Sequence, residues 1–274
     1  MQKDINLHTD FHLYKGTWIN TKAPHLYNML SNQECKTLLK SGGFIVRNTY
    51  DFDLKRESTF WYIIKDSFGG MDELSSKTRN QIRRAFKMLN IKIIDKNLIL
   101  KEGYKVYASA FKKYSVKSQI ISLDNYEKMI KDSPDNYEFW ACIDKSNGRM
   151  IAYSMNEIKD NTCHYLTMKV IPEYLTGYYP FYGLLYAMNQ HYLEEKKLLY
   201  VSDGARSITK HSNIQPFLIE KFKFRKAYCC LQLKYKWWLH IIVMILFPFR
   251  SFIPFLSVKA ILDMHDMYKK CNCM

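Results

Sequence analysis

The sequence predicts a mixed α/β protein in which one sheet carries helices on both faces. Three observations lead there. Residues 102–235 alternate helical and strand periodicities in the order α-α-β-β-β-α-β-α-β, which calls for a layered α/β arrangement rather than a bundle or a sandwich. A basic amphipathic stretch, residues 75–89, precedes that run. The composition, 47% hydrophobic and 15% aromatic over 274 residues, is enough to bury a real core and excludes a disordered tail.

The first seventy residues alternate short apolar runs, Phe44–Val46 and Phe60–Ile64, with polar breaks such as SGG and SFGG, and read as a few strands joined by turns. At about 100° per residue, Ile82, Ala85, Phe86 and Leu89 gather on one side of a helix, and Lys77, Arg79, Arg83, Arg84 and Lys87 fan over the other. Ser75 or Ser76 caps its start. No acid lies in those fifteen residues, so the cations have no local partner and suit either a solvated face or an anion such as phosphate. Ile91–Ile94 follows as a strand.

Tyr104, Tyr107, Ala108 and Phe111 then share one helical face over 102–114, and residues 123–131 form a second helix that ends at SPDN. Tyr137–Ile143 and Met150–Ile158 flank Ser146-Asn147-Gly148, a hairpin signal, and 162–171 supplies the next strand. The turn-rich PEYLTGYYP leads into a helix at 181–196. Leu198–Ser202 is a strand, 213–222 a helix, and Arg225–Tyr235 the last strand. The expected division is therefore 1–100 (strands plus the basic helix, or a degenerate half-domain), 101–235, and an apolar segment, 236–274.

That last segment is unusual. Trp237–Phe249 is apolar except for His240, but thirteen residues fall short of the ~20 that span a bilayer. Reaching Val258 takes in Pro248, Arg250 and Pro254. A buried capping helix and a segment resting on a membrane through residues 237–258 both fit. Lys234, Lys236 and Lys259 flank the run and suit anionic headgroups.

The formal charge of +15 favours anionic partners without choosing among cofactor, RNA and membrane. The start of the chain is polar, with no secretory signal, and the seven cysteines fall in neither a disulfide framework nor a paired zinc pattern. A cytoplasmic protein, at or away from the inner face of the membrane, and no metal are expected.

Two local stretches carry a resemblance to a known family. The strand and turn over residues 166–190, and FLIEKFKFRKAY at 217–228, together with the element order over about half the chain, resemble the GNAT acyltransferases. The basic helix ahead of them resembles the Fem-type, GNAT-like branch. The resemblance implies that Met168, Lys169 and Val170 pair with the pantetheine arm of an acyl-CoA. It also implies that the turn holding Gly177, Tyr178 and Gly183 meets the pyrophosphate, with Arg79, Arg83, Arg84 and Lys87 serving phosphates. This chain departs from the family in its turn, EYLTGYYPFYG, which has four tyrosines where a glycine-rich basic loop is usual. Ile219 stands where the family has a catalytic tyrosine, and Lys223 where it has glycine.

Acyl transfer to an amine needs a group that removes a proton. Asp203 ends a strand at SDGAR beside Gly204, His211 has an intrinsic pKa suited to proton transfer, and Glu157 shares strand parity with Tyr153. Tyr228 is a fourth candidate. The expected function is N-acyl transfer from acyl-CoA, or from aminoacyl-tRNA, to an amine on a sugar, peptide or cell-envelope precursor. The rival is a catalytically silent module of the same fold that binds RNA or an anionic membrane surface.

Overall fold

A computed structural model describes residues 10–111, 120–208 and 214–271. In chain order the first elements are β1 (Phe11–Tyr14), β2 (Thr17–Asn20), α1 (Asn32–Lys40), β3 (Ile45–Leu54), β4 (Phe60–Lys65), α2 (Ser76–Met88), β5 (Leu89–Ile94), α3 (Lys96–Ala110) and α4 (Leu123–Lys131). They are followed by β6 (Tyr137–Asp144), β7 (Met150–Lys159), β8 (Thr162–Val170), α5 (Pro180–Asn189), β9 (Tyr200–Ala205), α6 (Ile214–Phe222), β10 (Arg225–Tyr235), α7 (Trp237–Leu246) and α8 (Leu256–Lys269). The class is the expected one, a mixed sheet with helices.

The chain forms two compact units: residues 1–63, 205–210 and 226–274 in one, 64–204 and 211–225 in the other. This cuts the chain differently from the linear division at 100 and 235. The reason is pairing: β10 lies antiparallel to β3, with Leu231 opposite Thr49 and Leu233 opposite Arg47, so the late strand joins the early ones. Met264 and Cys271 enter the same core as Ile45, Phe60 and Leu231, which ties residues 236–271 to that unit.

In the second unit the strand order is β9-β8-β7-β6-β5, with β5 to β8 antiparallel and β8 parallel to β9. One face is covered by α3 and α4, whose Ile99, Val106, Tyr126 and Ile130 pack on Phe139, Ala141 and Tyr153. The other carries α2 and α5, brought together at Gly183. A Cβ there would lie 2.4 Å from Ile91 Cδ1 and 2.8 Å from Ala85 Cβ, so only glycine allows this approach.

The basic helix forms as its sequence dictates. Ser75 Oγ accepts the Thr78 N–H at 3.2 Å, and Ile82 and Ala85 are fully buried. Helix α3 begins earlier than its tyrosines indicate, because Asp95 caps it through the Leu98 N–H and Ile99 already belongs to the core. Helix α6 ends with Lys223 in a left-handed conformation (φ +59°) and the Phe224 N–H donating to Leu218 O. The left-handed turn places lysine at the position after the helix that glycine favours.

The apolar C-terminal run is two helices, not one. Helix α7 stops at Leu246, a 3-10 stretch covers Phe247–Phe252, and α8 leaves at 105°. Pro248 and Pro254 have no N–H to continue a helix through this corner. Among the described residues no single helix is long and apolar enough to cross a membrane. Cys35, Cys142, Cys163, Cys229 and Cys271 are buried free thiols, whereas Cys230 is disulfide-bonded, a pairing the sequence spacing does not announce.

Candidate functional site

The second unit is organised around a divergence of two strands. β8 pairs with β9 over only three residues, Thr162–His164 against Tyr200–Ser202. Beyond that, β8 runs on to Val170 alongside β7 alone. A bulge accompanies the parting: Met155 faces Thr167 and Asn156 faces Tyr165, leaving Leu166 as the extra residue. Bulges bend a strand and re-aim its side chains. Among the described residues, no strand pairs with the Tyr165–Val170 half of β8 on its β9 side. Met168, Lys169 and Val170 all lie in that half, where the resemblance puts the donor's arm.

Asp203 stands where the strands part. It follows Ser202, the last paired residue of β9, and precedes Gly204 (φ +89°). Burial raises its carboxyl to about 7, opposed by a hydrogen bond with Gln215 of α6. A carboxyl poised near neutrality can take and return a proton.

His164, which the sequence reading did not select, faces Glu157 across β7 and Ser202 across β9. Directly paired residues share a face, so these three lie on the α3/α4 side. A Cβ on Gly204 would come within 3.0 Å of His164 Nε2, so Gly204 leaves room for this ring. Burial lowers the His164 pKa and keeps the imidazole neutral. Asp203, one residue on from Ser202, points to the opposite side with Gln215. Glu157 and Asp203 therefore do not form one constellation. Pairing, not sequence proximity, reveals His164, and no local motif signals it.

The turn after β8 is aromatic and self-packed. Tyr174 and Tyr178 meet edge to face at 4.9 Å, and Tyr179, left-handed at φ +54°, precedes Pro180 at the start of α5. Arg84 of α2 donates through Nε to the carbonyl of Gly177 and so pins the turn. Gly183 lies inside α5 and serves the packing against α2 and β5 described above, which accounts for that glycine without a phosphate. Arg79 and Arg83 hydrogen-bond Ser76 and Asn80 of their own helix, and Arg83, Arg84 and Lys87 are exposed.

One other candidate stands apart. Tyr228 belongs to the first unit, where its hydroxyl donates to Glu57 Oε1 at 3.0 Å. Arg206 donates to the carbonyl of Thr59 and lies over the Trp61 ring, so its guanidinium is engaged in that unit. His211 lies outside the described residues. Among the described residues no three His, Cys, Asp or Glu side chains gather as metal ligands.

An acyl-CoA fits part of this geometry. The free side of β8 offers backbone groups to an extended, amide-bearing arm. The turn offers Arg84 but no glycine-rich cradle.

The fold is GNAT-like, of the kind FemX has. FemX matches with a TM-score of 0.51 at 10% identity, over 72% of this chain and 66% of FemX, slightly under two thirds of its length. L-PGS from Bacillus licheniformis matches at 0.47 and 10% identity, covering 85% of this chain and 69% of that one. An N-acetyltransferase from Thermoplasma acidophilum, solved with coenzyme A, matches at 0.32 and 16% identity, over 40% and 74%. At such identities the likeness to FemX establishes the fold alone. No protein-family model matches the sequence, and no curated protein does.

Proposed function

We propose that this protein is an N-acyltransferase that moves an acyl group from acyl-CoA or aminoacyl-tRNA to an amine on a sugar, peptide or cell-envelope precursor. The observation that carries the reading is the parting of β8 from β9 with Asp203 at its mouth. The donor supplies the activated acyl group. The chain aligns it along Met168–Val170 and removes the amine proton at the Asp203 carboxylate as the amine nitrogen bonds to the acyl carbon. The donor's C–S or ester C–O bond then breaks, and the proton returns to the departing thiolate of CoA or ribose oxygen of the tRNA. Backbone N–H groups on the free side of β8 face the developing negative charge. Arg84 and the exposed Arg83 and Lys87 offer positive charge to a phosphate-bearing donor.

Melting with acetyl-CoA, free CoA and deacylated tRNA tests the donor. A ligand at 100 times its dissociation constant adds about 2.7 kcal/mol. A shift with the CoA species selects acyl-CoA, and a shift with tRNA alone selects the aminoacyl donor. No shift with any of the three sinks the reading. With the selected donor, Asp203→Asn is expected to keep the shift and lose turnover by about 100-fold or more, in the range of general base catalysis.

The self-packed aromatic turn favours a second reading, a silent module that grips RNA through the cations of α2. RNA binding that weakens steeply with salt, with no acyl transfer, would favour it.

A further inference from the structure

The corner formed by α7, the 3-10 stretch and the start of α8 exposes apolar side chains as if they were polar. Trp237 is 76% exposed, Ile245 62%, Phe249 59%, Phe252 83%, Phe255 71% and Leu256 68%. Only a narrow inner strip of α7, Leu239 and Val243, turns to the core of its unit. Partly exposed aromatic and aliphatic side chains at these fractions present on the order of 1,000 Å² of apolar surface, given roughly 150–250 Å² for a whole aromatic side chain. A monomer's largest patch is usually a few hundred Å². The patch continues beyond α7: Trp238 meets Phe44 edge to face at 5.7 Å, and Phe44 itself is 48% exposed.

Charge complements this surface. Between Lys234 and Leu262 there are four cations, Lys234, Lys236, Arg250 and Lys259, and no Asp or Glu. Arg250 is paired with Asp266 of α8, so the three lysines carry the complementary charge. The Lys236 ammonium lies 5.6 Å from the Phe44 ring, at the edge of the patch, and Lys259 is exposed in the first turns of α8. Ten residues of α7 reach only about 15 Å, half the ~30 Å hydrocarbon core, and the 105° corner breaks any longer path.

We infer that this corner is a membrane-docking surface that seats in the headgroup and upper acyl region of an anionic bilayer. Phe252, Phe255 and Trp237 enter the apolar layer, and the lysines remain with the phosphates. Tryptophan and basic side chains around an apolar face are the chemistry that an anionic interface selects. A second copy of the chain is the poorer occupant, because it would set one cationic rim against another on molecules of formal charge +15. The surface belongs to the first unit and exists whether or not the second unit transfers acyl groups.

Flotation of the whole protein with phosphatidylglycerol/phosphatidylcholine vesicles, against pure phosphatidylcholine, tests this. Binding is expected to the anionic vesicles, with a blue shift of tryptophan emission that is reduced in Trp237→Phe, since Trp238 remains at the edge of the patch. The double substitution Phe252→Ser, Phe255→Ser should weaken partitioning about tenfold or more at unchanged melting temperature, since both rings pack on little in the protein. Lys236→Glu with Lys259→Glu should remove the preference for anionic lipid. Absence of vesicle binding at low salt overturns the proposal. So does binding that the serine variant leaves unchanged, which would be charge alone. A concentration-dependent dimer abolished by the serine variant, without vesicle binding, would assign the patch to a second copy instead.

Discussion

Helices α2 and α7 are of similar length and opposite in design. Helix α2 buries Ile82 and Ala85 and turns its arginines outward. Helix α7 buries Val243 and turns Trp237, Ile241 and Ile245 outward. The first stabilises its own unit by taking apolar surface from water. The second leaves most of its apolar surface in water, which contributes nothing to folding and is explained by a partner that covers it. An apolar run in sequence therefore marks two different things, and only pairing with a core tells them apart.

Removing a large side chain from each helix is the strongest test of that contrast. Ile82→Ala should cost about 2–5 kcal/mol, as large-to-small core substitutions do. Ile245→Ala should stay within about 0.5 kcal/mol, as exposed substitutions do. Denaturant midpoints measure both. Equal losses would mean that α7 is as much a core element as α2.

A second test sharpens the contrast through pH. Asp203 carries a carboxyl raised from 3.8 to about 7 in the folded unit. Between those values the native state holds a proton that the unfolded chain has released. Its contribution is thus fully present below about pH 4 and lost as pH rises towards 7. Asp203→Asn should gain on the wild type across that window, read as the difference in melting temperature against pH. A flat difference would mean that the carboxyl is not buried as described. Phe252→Ser changes no ionisable group and should show no pH-dependent difference.

The smaller effects are backbone ones. Ser75→Ala removes the cap of α2 and should cost about 1 kcal/mol. Lys223→Gly should add up to about 1 kcal/mol, since it relieves a left-handed lysine. Thermal unfolding resolves both, and a loss of stability on Lys223→Gly would show that the lysine side chain matters more than its conformation.

Much of the second unit was legible because its signals are local. The β6–β7 hairpin declares itself through Ser146-Asn147-Gly148 between two apolar runs, and α2 through its periodicity and serine cap. The first unit hid more. Helix α1 is short, yet Ser31 and Glu34 at capping-box spacing, a box the structure forms, were a readable start signal. Strands β1 and β2 have four residues each, β1 exposed beyond Phe11 and β2 half-buried throughout, so no alternation stands out. The functional region depends on non-local facts. The Leu166 bulge adds one residue to a period-two pattern, which a single strand does not reveal. His164 becomes a site candidate only once Ser202 is set opposite it. Asp203 was visible from its turn, but its raised pKa comes from burial against α6, which no spacing encodes.

The buried thiols give the molecule its own clocks. Burial raises the pKa values of Cys142 and Cys163 in the second unit and of Cys35 and Cys229 in the first, so each is held protonated and out of reach of a reagent. Alkylating agents act on the thiolate, so modification at these positions waits for the surrounding structure to open. A pulse of iodoacetamide followed by mass spectrometry would then time the opening of each unit separately, without adding a probe to either.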